Sequence, residues 1–267
     1  MQYLKRKYLV IVSVALLLGI GCKKVIQVNL KNVTPRIVIT GEVNNQPGPY
    51  IVTISKTVNY TSDNAFPPVS GALVIIAGNG NTDTLTETSP GTYATHTITG
   101  RPGRLYSLYV SVEGKVYTSA STMPQPVQLD SIGYAASNRF NDKINAITYF
   151  QDPPDVSNYY QFNEYLNQTQ FQNNRVGSVF DDRLSDGKYI TYTLYNDSTD
   201  INKGDTLTIQ MNCIDENVYN YLNTLSSITD QNSFQSPTPD NPTSNISNNA
   251  LGYFSANTIE KQSVIIR

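Results

Sequence analysis

The chain has 267 residues, a formal net charge of −2, 15% charged residues, one histidine, two cysteines and no tryptophan. This net negative charge argues against a nucleic-acid partner or a polybasic contact with a membrane. One histidine and two cysteines also cannot supply the clustered ligands that a zinc site needs.

The first predicted element is a secretory signal peptide over residues 1–21. Lys5, Arg6 and Lys7 give a basic start, and a mostly apolar run over 8–20 follows. This run is shorter than the ~20 residues of a membrane-spanning helix, and it ends in small residues, which is typical of a signal. Its removal takes away three bases and no acid, which leaves a net charge of about −5.

The predicted cleavage site is the Gly21–Cys22 bond, and the pattern resembles a bacterial lipoprotein signal. In such a signal Cys22 receives a diacylglyceryl thioether and, after cleavage, an acyl chain such as palmitate. Several acyl chains, each stabilised by ~0.8 kcal/mol per buried methylene, hold a protein on a bilayer. The alternative for Cys22 is a core cysteine at the end of a buried helix.

Residues 22–32 are predicted to be a lipidated tether, and residues 33–124 an antiparallel β-sandwich. Short strand-like runs separated by Gly, Pro and Asn turns are typical of such a sandwich. Gly78-Asn79-Gly80 has the composition of a hairpin turn. The predicted strands are 36–43, 50–56, 72–77, 82–86, 92–98, 105–112 and 115–121.

Pro124-Gln125-Pro126 interrupts this pattern and is the predicted boundary before a β-rich region over 127–267. One helix is predicted near 215–227, with Asp215 as its cap and its apolar residues on one face. Cys213 ends an alternating strand, which predicts a buried thiol. A proline-rich loop is predicted over 233–248. The predicted strands are 127–134, 144–150, 158–166, 189–195, 206–213, 251–256 and 262–266.

The aromatic stretch around residue 160 is the candidate recognition surface. Tyr159, Tyr160 and Phe162 offer rigid contact area, and tyrosine adds a polar tip, which suits binding surfaces. Aromatic side chains are equally normal on sandwich strands, where alternate ones pack into the core. Both interpretations fit the pattern.

Three carboxylates in the loop that ends at Gly187 are the candidate metal ligands. Asp181, Asp182 and Asp186 offer oxygen ligands for calcium, although their spacing does not fit an EF-hand. Asp and Gly are also ordinary turn formers, so a purely structural loop explains the same residues. No other cofactor is expected.

Catalysis is not expected from this chain. His96, the single histidine, lies in the predicted strand 92–98 and has no nucleophile-elbow motif to serve. The 21 acids offer many pairs for glycoside hydrolysis, but no motif selects one of them. We therefore expect a protein that is not an enzyme.

Several segments, in one order along the chain, resemble the Bacteroidetes cell-envelope lipoproteins of the domain of unknown function 4249 family. The resemblance implies a lipoprotein with acylated Cys22 and an N-terminal sandwich like those of carboxypeptidase-regulatory-like and immunoglobulin-like domains. Such proteins are often encoded beside TonB-dependent outer-membrane transporters. The segments are CKKVIQVNL, TPRIVITGEV, QPGPYIVTISKTVNY, PPVSGALVIIAG, GTYAT, RPGRLYSLYVSVEGKVYTSASTMP and SNISNNALGYFSA.

The resemblance implies an outer-membrane lipoprotein that acts as a non-catalytic binding or accessory component beside such a transporter. The alternative is a structural or adhesive envelope lipoprotein. Lys23 and Lys24 follow Cys22 where many surface lipoproteins of that phylum carry acids. A non-acidic residue 23 is compatible with the outer membrane, and both its periplasmic and its surface face remain open.

Overall fold

The computed structural model describes residues 34–58, 66–138, 143–171, 178–229 and 241–267. The predicted signal peptide and tether, and residues 233–240 of the predicted loop, lie outside these residues. Pro35–Arg267 forms one compact unit. Among the described residues, no helix has the length and apolar character needed to span a bilayer.

Strands dominate the regular structure, which confirms the predicted mostly-β fold. One α-helix, α1 (Glu216–Thr229), stands among the described residues, close to its predicted bounds. The strands are β1 (Ile37–Asn44), β2 (Ile51–Lys56), β3 (Leu73–Gly78), β4 (Asn81–Thr84), β5 (Thr86–Ser89), β6 (Thr92–Ala94), β7 (Leu105–Val112), β8 (Lys115–Thr122), β9 (Ser131–Ala136), β10 (Ile144–Gln151), β11 (Tyr159–Leu166), β12 (Thr169–Gln170), β13 (Ser178–Asp181), β14 (Tyr189–Leu194), β15 (Thr206–Ile214) and β16 (Leu251–Ile265).

The largest sheet has nine strands, in the order β12-β11-β15-β16-β1-β2-β6-β5, with β13 also paired to β11. Strand β1 runs parallel to β16, and the other pairs in this sheet are antiparallel. Two smaller sheets accompany it, β4-β3-β7-β8 and β14-β10-β9. Strands β1 and β16 are the first and the last of the described strands, so their pairing joins the N-terminal and C-terminal parts of the chain in one sheet.

The first hydrophobic core lies between the sheet β4-β3-β7-β8 and the β1–β2–β6 part of the large sheet. This core contains Ile39 and Val52 from the large sheet and Ile76 and Tyr106 from the smaller one, and all four side chains are 0% exposed. Alternate residues of each strand face this core, as the period of two along a strand requires. The predicted N-terminal sandwich is thus present.

The second hydrophobic core lies between the sheet β14-β10-β9 and strands β11 and β15. Phe150 of β10 packs its ring 4.9 Å from that of Tyr160 and 6.1 Å from that of Phe162, both on β11. Cys213 lies in this core at 3% exposure, which confirms the predicted buried thiol. This packing makes the C-terminal region a second sandwich.

Strand β16 belongs to both cores. Phe254 and Ala256 pack into the first core, and Val264 packs against the second. Residues an even number apart on a strand point to the same face, so both small sheets cover one face of the large sheet. Residues up to Met123 supply most of the first core and residues from Val127 onward supply the second, and β16 joins the two cores within one compact unit.

The opposite face of the large sheet, called here the outer face, carries α1. Tyr253 of β16 packs its ring 5.1 Å from that of Tyr221 on α1, and Tyr159 of β11 lies 5.0 Å from Tyr219. Asp215 Oδ1 accepts a 3.0 Å bond from the Val218 amide and so caps the helix, as predicted.

Four details differ from the predicted elements. The predicted strand 127–134 is present as β9, over Ser131–Ala136. The predicted strands 251–256 and 262–266 form the single strand β16, because its second half pairs with β15 after its first half has paired with β1. Strand β6 ends at Ala94. The amides of His96, Thr97 and Ile98 donate to Asp83 Oδ2 and therefore do not pair with a neighbouring strand. The short strands β5, β12 and β13 were not predicted; four residues or fewer carry too little alternation.

Candidate functional site

The predicted lipidation residue Cys22 and the cleavage residue Gly21 lie outside the described residues. Their roles stay predictions.

The aromatic residues of β11 do not form the predicted recognition surface. Tyr160 and Phe162 are both 0% exposed, since even-numbered residues of β11 face the second core. Tyr159 points to the outer face, where α1 half-buries it against Tyr219. The core interpretation is therefore the correct one for Tyr160 and Phe162, and Tyr159 is a helix contact.

An acidic triad is present that includes two of the predicted calcium ligands, Asp182 and Asp186, with Asp152 in place of Asp181. Asp152, Asp182 and Asp186 each bring one oxygen to within 4.8 Å of the others. Asp181 turns away, and its Oδ2 accepts bonds from the Tyr219 hydroxyl at 2.5 Å and from Arg183 at 2.8 Å. Asp152 was missed because it comes from the separate loop after β10.

The triad carboxylates fix the turns that carry them. Asp152 Oδ1 accepts from the Tyr160 hydroxyl, and its Oδ2 accepts from the Gly187 amide at 3.0 Å. Asp182 Oδ2 accepts from the Asn158 amide at 2.8 Å. Burial, together with the charges of Asp182 and Asp186, raises the pKa of Asp152. Both oxygens of Asp152 accept hydrogen bonds from within the protein. The triad therefore stabilises the turns around residues 152–158 and 182–187.

His96 does not lie in a strand. It is an exposed residue of the turn after β6, and its Nε2 lies 2.8 Å from Thr86 Oγ1. Its own amide, with those of Thr97 and Ile98, donates to Asp83 Oδ2. These three bonds hold the pKa of Asp83 below its usual value, although burial opposes them. Asp83 is thus a structural anchor of this turn.

The outer face of the large sheet carries a polar cluster centred on Glu42 of β1. Glu42 Oε1 accepts hydrogen bonds from Asn44 Nδ2 at 2.8 Å and from Asn257 Nδ2 at 3.3 Å. Asn257 Oδ1 in turn lies 3.2 Å from Ser255 Oγ. We call Glu42, Asn44, Ser255 and Asn257 the Glu42 cluster.

Two tyrosines border the Glu42 cluster. Burial, and then the charge of Glu42, raises the pKa of Tyr253 to about 12, and the same two causes raise the pKa of Tyr165. Lys261 Nζ lies 5.7 Å from the centre of the Tyr165 ring. A carboxylate therefore faces two phenol rings on one side of the sheet.

Side-chain amides extend this polar surface onto β15 and β11. Asn212 donates to Gln161 Oε1 at 3.1 Å, Gln210 donates to Asn212 Oδ1 at 2.9 Å, and the Tyr165 hydroxyl lies 3.3 Å from Gln210 Oε1. Gln210 and Asn212 are 8% and 3% exposed. Buried polar groups cost stability unless they are hydrogen-bonded, and here each amide is bonded to its neighbour.

A groove opens at the edge of the Glu42 cluster, with the face of β1 and β2 as its floor. Its volume is about 350 Å³. The side chain of Ile51, at 40% exposure, and the exposed Thr53 belong to the floor. The lining residues are Thr40, Gly41, Glu42, Asn44, Pro49, Tyr50, Ile51, Thr53 and Tyr253.

The Glu42 cluster was not predicted from the sequence. Glu42 and Asn257 are 215 positions apart, and only the parallel pairing of β1 with β16 brings them together. One signal was present: Gln210 and Asn212 occupy the alternate positions of β15 that face away from the core.

The family model described as domain of unknown function, DUF4249, matches residues 23–263. No curated protein matches the chain. Because the family match takes in nearly the whole sequence, the chain belongs to the domain of unknown function 4249 family.

Proposed function

We propose that the chain is an outer-membrane-anchored lipoprotein that acts as a non-catalytic binding or accessory component beside a TonB-dependent transporter. The anchor is Cys22, acylated after cleavage at Gly21. The apolar run over 8–20 that precedes Gly21 and Cys22 supports it, and so does a family match that begins at residue 23. The transporter partnership follows from the family resemblance.

The single observation that carries the binding role is the groove beside the Glu42 cluster. Its carboxylate is held in place by two amides, with Glu42 Oε1 bonded to Asn44 and Asn257. A polar group that is fixed before a ligand arrives loses little entropy on binding, and this favours recognition. The groove lies on the outer face, and although Tyr50 in its lining also packs into the first core, Glu42, Asn44 and Thr53 belong to neither core.

The same groove argues for binding without catalysis. Among the described residues that line it, Glu42 is the one acid, and no histidine, cysteine or serine joins it. Hydrolysis by carboxylates uses two of them, one on each side of the scissile bond. A single carboxylate among amides and hydroxyls is suited to holding a ligand.

Affinity purification after gentle crosslinking of the native lipoprotein tests this function. The variant Thr53→Trp fills the groove from an exposed floor position, and Thr84→Trp is the control, since Thr84 is exposed on β4 outside the groove. We expect the parent and Thr84→Trp to recover a transporter or a retained ligand, and Thr53→Trp to lose it. Equal recovery by both variants, or recovery of neither a membrane partner nor a ligand by the parent, would contradict the proposal.

A further inference from the structure

The floor of the groove offers a ligand side chains only. Strand β1 is hydrogen-bonded to β16 on one side and to β2 on the other, and β2 pairs with both β1 and β6. A peptide that binds by adding a strand needs an unpaired strand edge. Neither strand lies at an edge of the sheet, so the groove selects its ligand mainly through side chains.

The side chains of the groove disfavour three classes of ligand. No lysine, arginine or histidine belongs to the described lining, so an anionic group would meet Glu42 without a counter-charge. A quaternary ammonium would need several aromatic faces, and of the two tyrosines in the lining Tyr50 is only 4% exposed, so Tyr253 offers most of the aromatic surface. A purely apolar ligand would bury the charge of Glu42 with only two amide donors, both on Oε1, and no counter-charge in the lining, which is costly.

A ligand rich in hydroxyl groups fits the remaining chemistry. Each hydroxyl both donates and accepts, and it can therefore pair with a carboxylate, a carboxamide or a threonine hydroxyl. Glu42, Asn44 and Thr53 provide one of each along the groove. The exposed side chain of Ile51 and the ring of Tyr253 add apolar surface for the C–H face of a sugar ring.

A second depression gives space for an extended ligand. Its volume is about 540 Å³, and Pro49 lines both it and the groove. Polar residues of the β1–β2 loop, Asn45 and Gln46, face His96 and Thr97 across it. The loop between β1 and β2 is therefore bordered by a polar depression on each side.

We propose that the groove beside the Glu42 cluster binds a neutral saccharide, with Glu42 accepting hydrogen bonds from sugar hydroxyls and Tyr253 contacting the ring. This assignment rests on the proposed binding function and names the ligand class for the same site. The second depression receives the neighbouring sugar units of a longer chain.

An array of immobilised neutral oligosaccharides (glucans, xylans, mannans and galactans), with anionic polysaccharides and peptides beside them, tests the ligand class. The probe is the full-length lipoprotein in detergent. The variant Glu42→Gln keeps the shape of the side chain and removes its charge. Glu113→Gln is the matched control, because Glu113 lies outside the groove in a surface ion pair with Lys56.

We expect a neutral oligosaccharide to bind the parent and Glu113→Gln equally, and Glu42→Gln about five- to tenfold more weakly, because a charged acceptor is lost. Thr53→Trp should abolish the signal. Equal binding by Glu42→Gln and the parent would overturn the assignment. So would binding of peptides or anionic polysaccharides in place of neutral sugars.

The two proposals fail in different ways. If no neutral sugar binds but crosslinking still recovers a partner that Thr53→Trp loses, the saccharide class is wrong and the binding function stands. If no probe binds and crosslinking recovers nothing, both are wrong.

Discussion

Tyr160 donates its hydroxyl hydrogen to Asp152 Oδ1 over 2.5 Å, and so connects the second hydrophobic core to the acidic triad. Both residues are 0% exposed. Burial, and then this bond to Asp152, raises the pKa of Tyr160. The bond explains why an aromatic residue that resembles a recognition residue in the sequence is part of the framework.

The variant Tyr160→Phe should destabilise the protein by about 1–3 kcal/mol, because it leaves a buried carboxylate without one of its two donors. Tyr159→Phe is the matched control from the neighbouring position on the outer face, and it should change stability by less than about 0.5 kcal/mol. Urea unfolding of the three proteins measures both effects. Equal stability of Tyr160→Phe and the parent would show that the bond contributes nothing.

Calcium should leave the melting temperature of the parent unchanged. The Tyr160 hydroxyl and the Gly187 amide each donate to one oxygen of Asp152, so calcium would have to compete with these donors for one of its three carboxylates. Thermal unfolding in millimolar calcium and in chelator measures this. A calcium-dependent rise that Asp182→Asn abolishes would instead make the triad a calcium site.

Glu164 should make the protein less stable as the pH rises toward neutrality. The residue is 6% exposed on the core side of β11, and its Oε1 has no hydrogen-bond partner among the described residues. Burial raises its pKa from 4.5 to about 7. Between these values the folded state keeps a proton that the unfolded state releases, so stability is lost as the pH rises, by at most about 3 kcal/mol.

The variant Glu164→Gln measures this pH-dependent loss of stability, because the glutamine side chain is neutral at every pH. The free energy of unfolding of the variant minus that of the parent should be about 2–3 kcal/mol larger at pH 8 than at pH 5. Urea unfolding at the two pH values gives the comparison. A difference between the variant and the parent that does not change with pH would contradict the assigned ionisation.

Most of the fold could be predicted from local patterns, and most of the site could not. Alternation reports which residues share a strand face, and it therefore located strands such as β7, over 105–112, together with the buried Cys213. It does not report which face is the core. Tyr160 and Phe162 share one face of β11, and that face is the buried one. The Glu42 cluster depends on β1 pairing with β16, a contact that no local pattern encodes.

The variant Cys22→Ala should lose both incorporation of a palmitate analogue and retention in the membrane fraction. Acyl chains supply the anchoring energy, and alanine cannot form the thioether. Metabolic labelling followed by fractionation measures both. A Cys22→Ala protein that stayed fully bound to the membrane would place the anchor elsewhere.

Photo-crosslinking in intact cells tests the binding role most directly. A photoreactive amino acid at position 53 lies on the floor of the groove, and the same amino acid at position 84 lies on β4 outside it. With Cys22 intact, the account predicts adducts with a transporter or its cargo from position 53 and none from position 84. Adducts that form equally from both positions, or only from position 84, would contradict it.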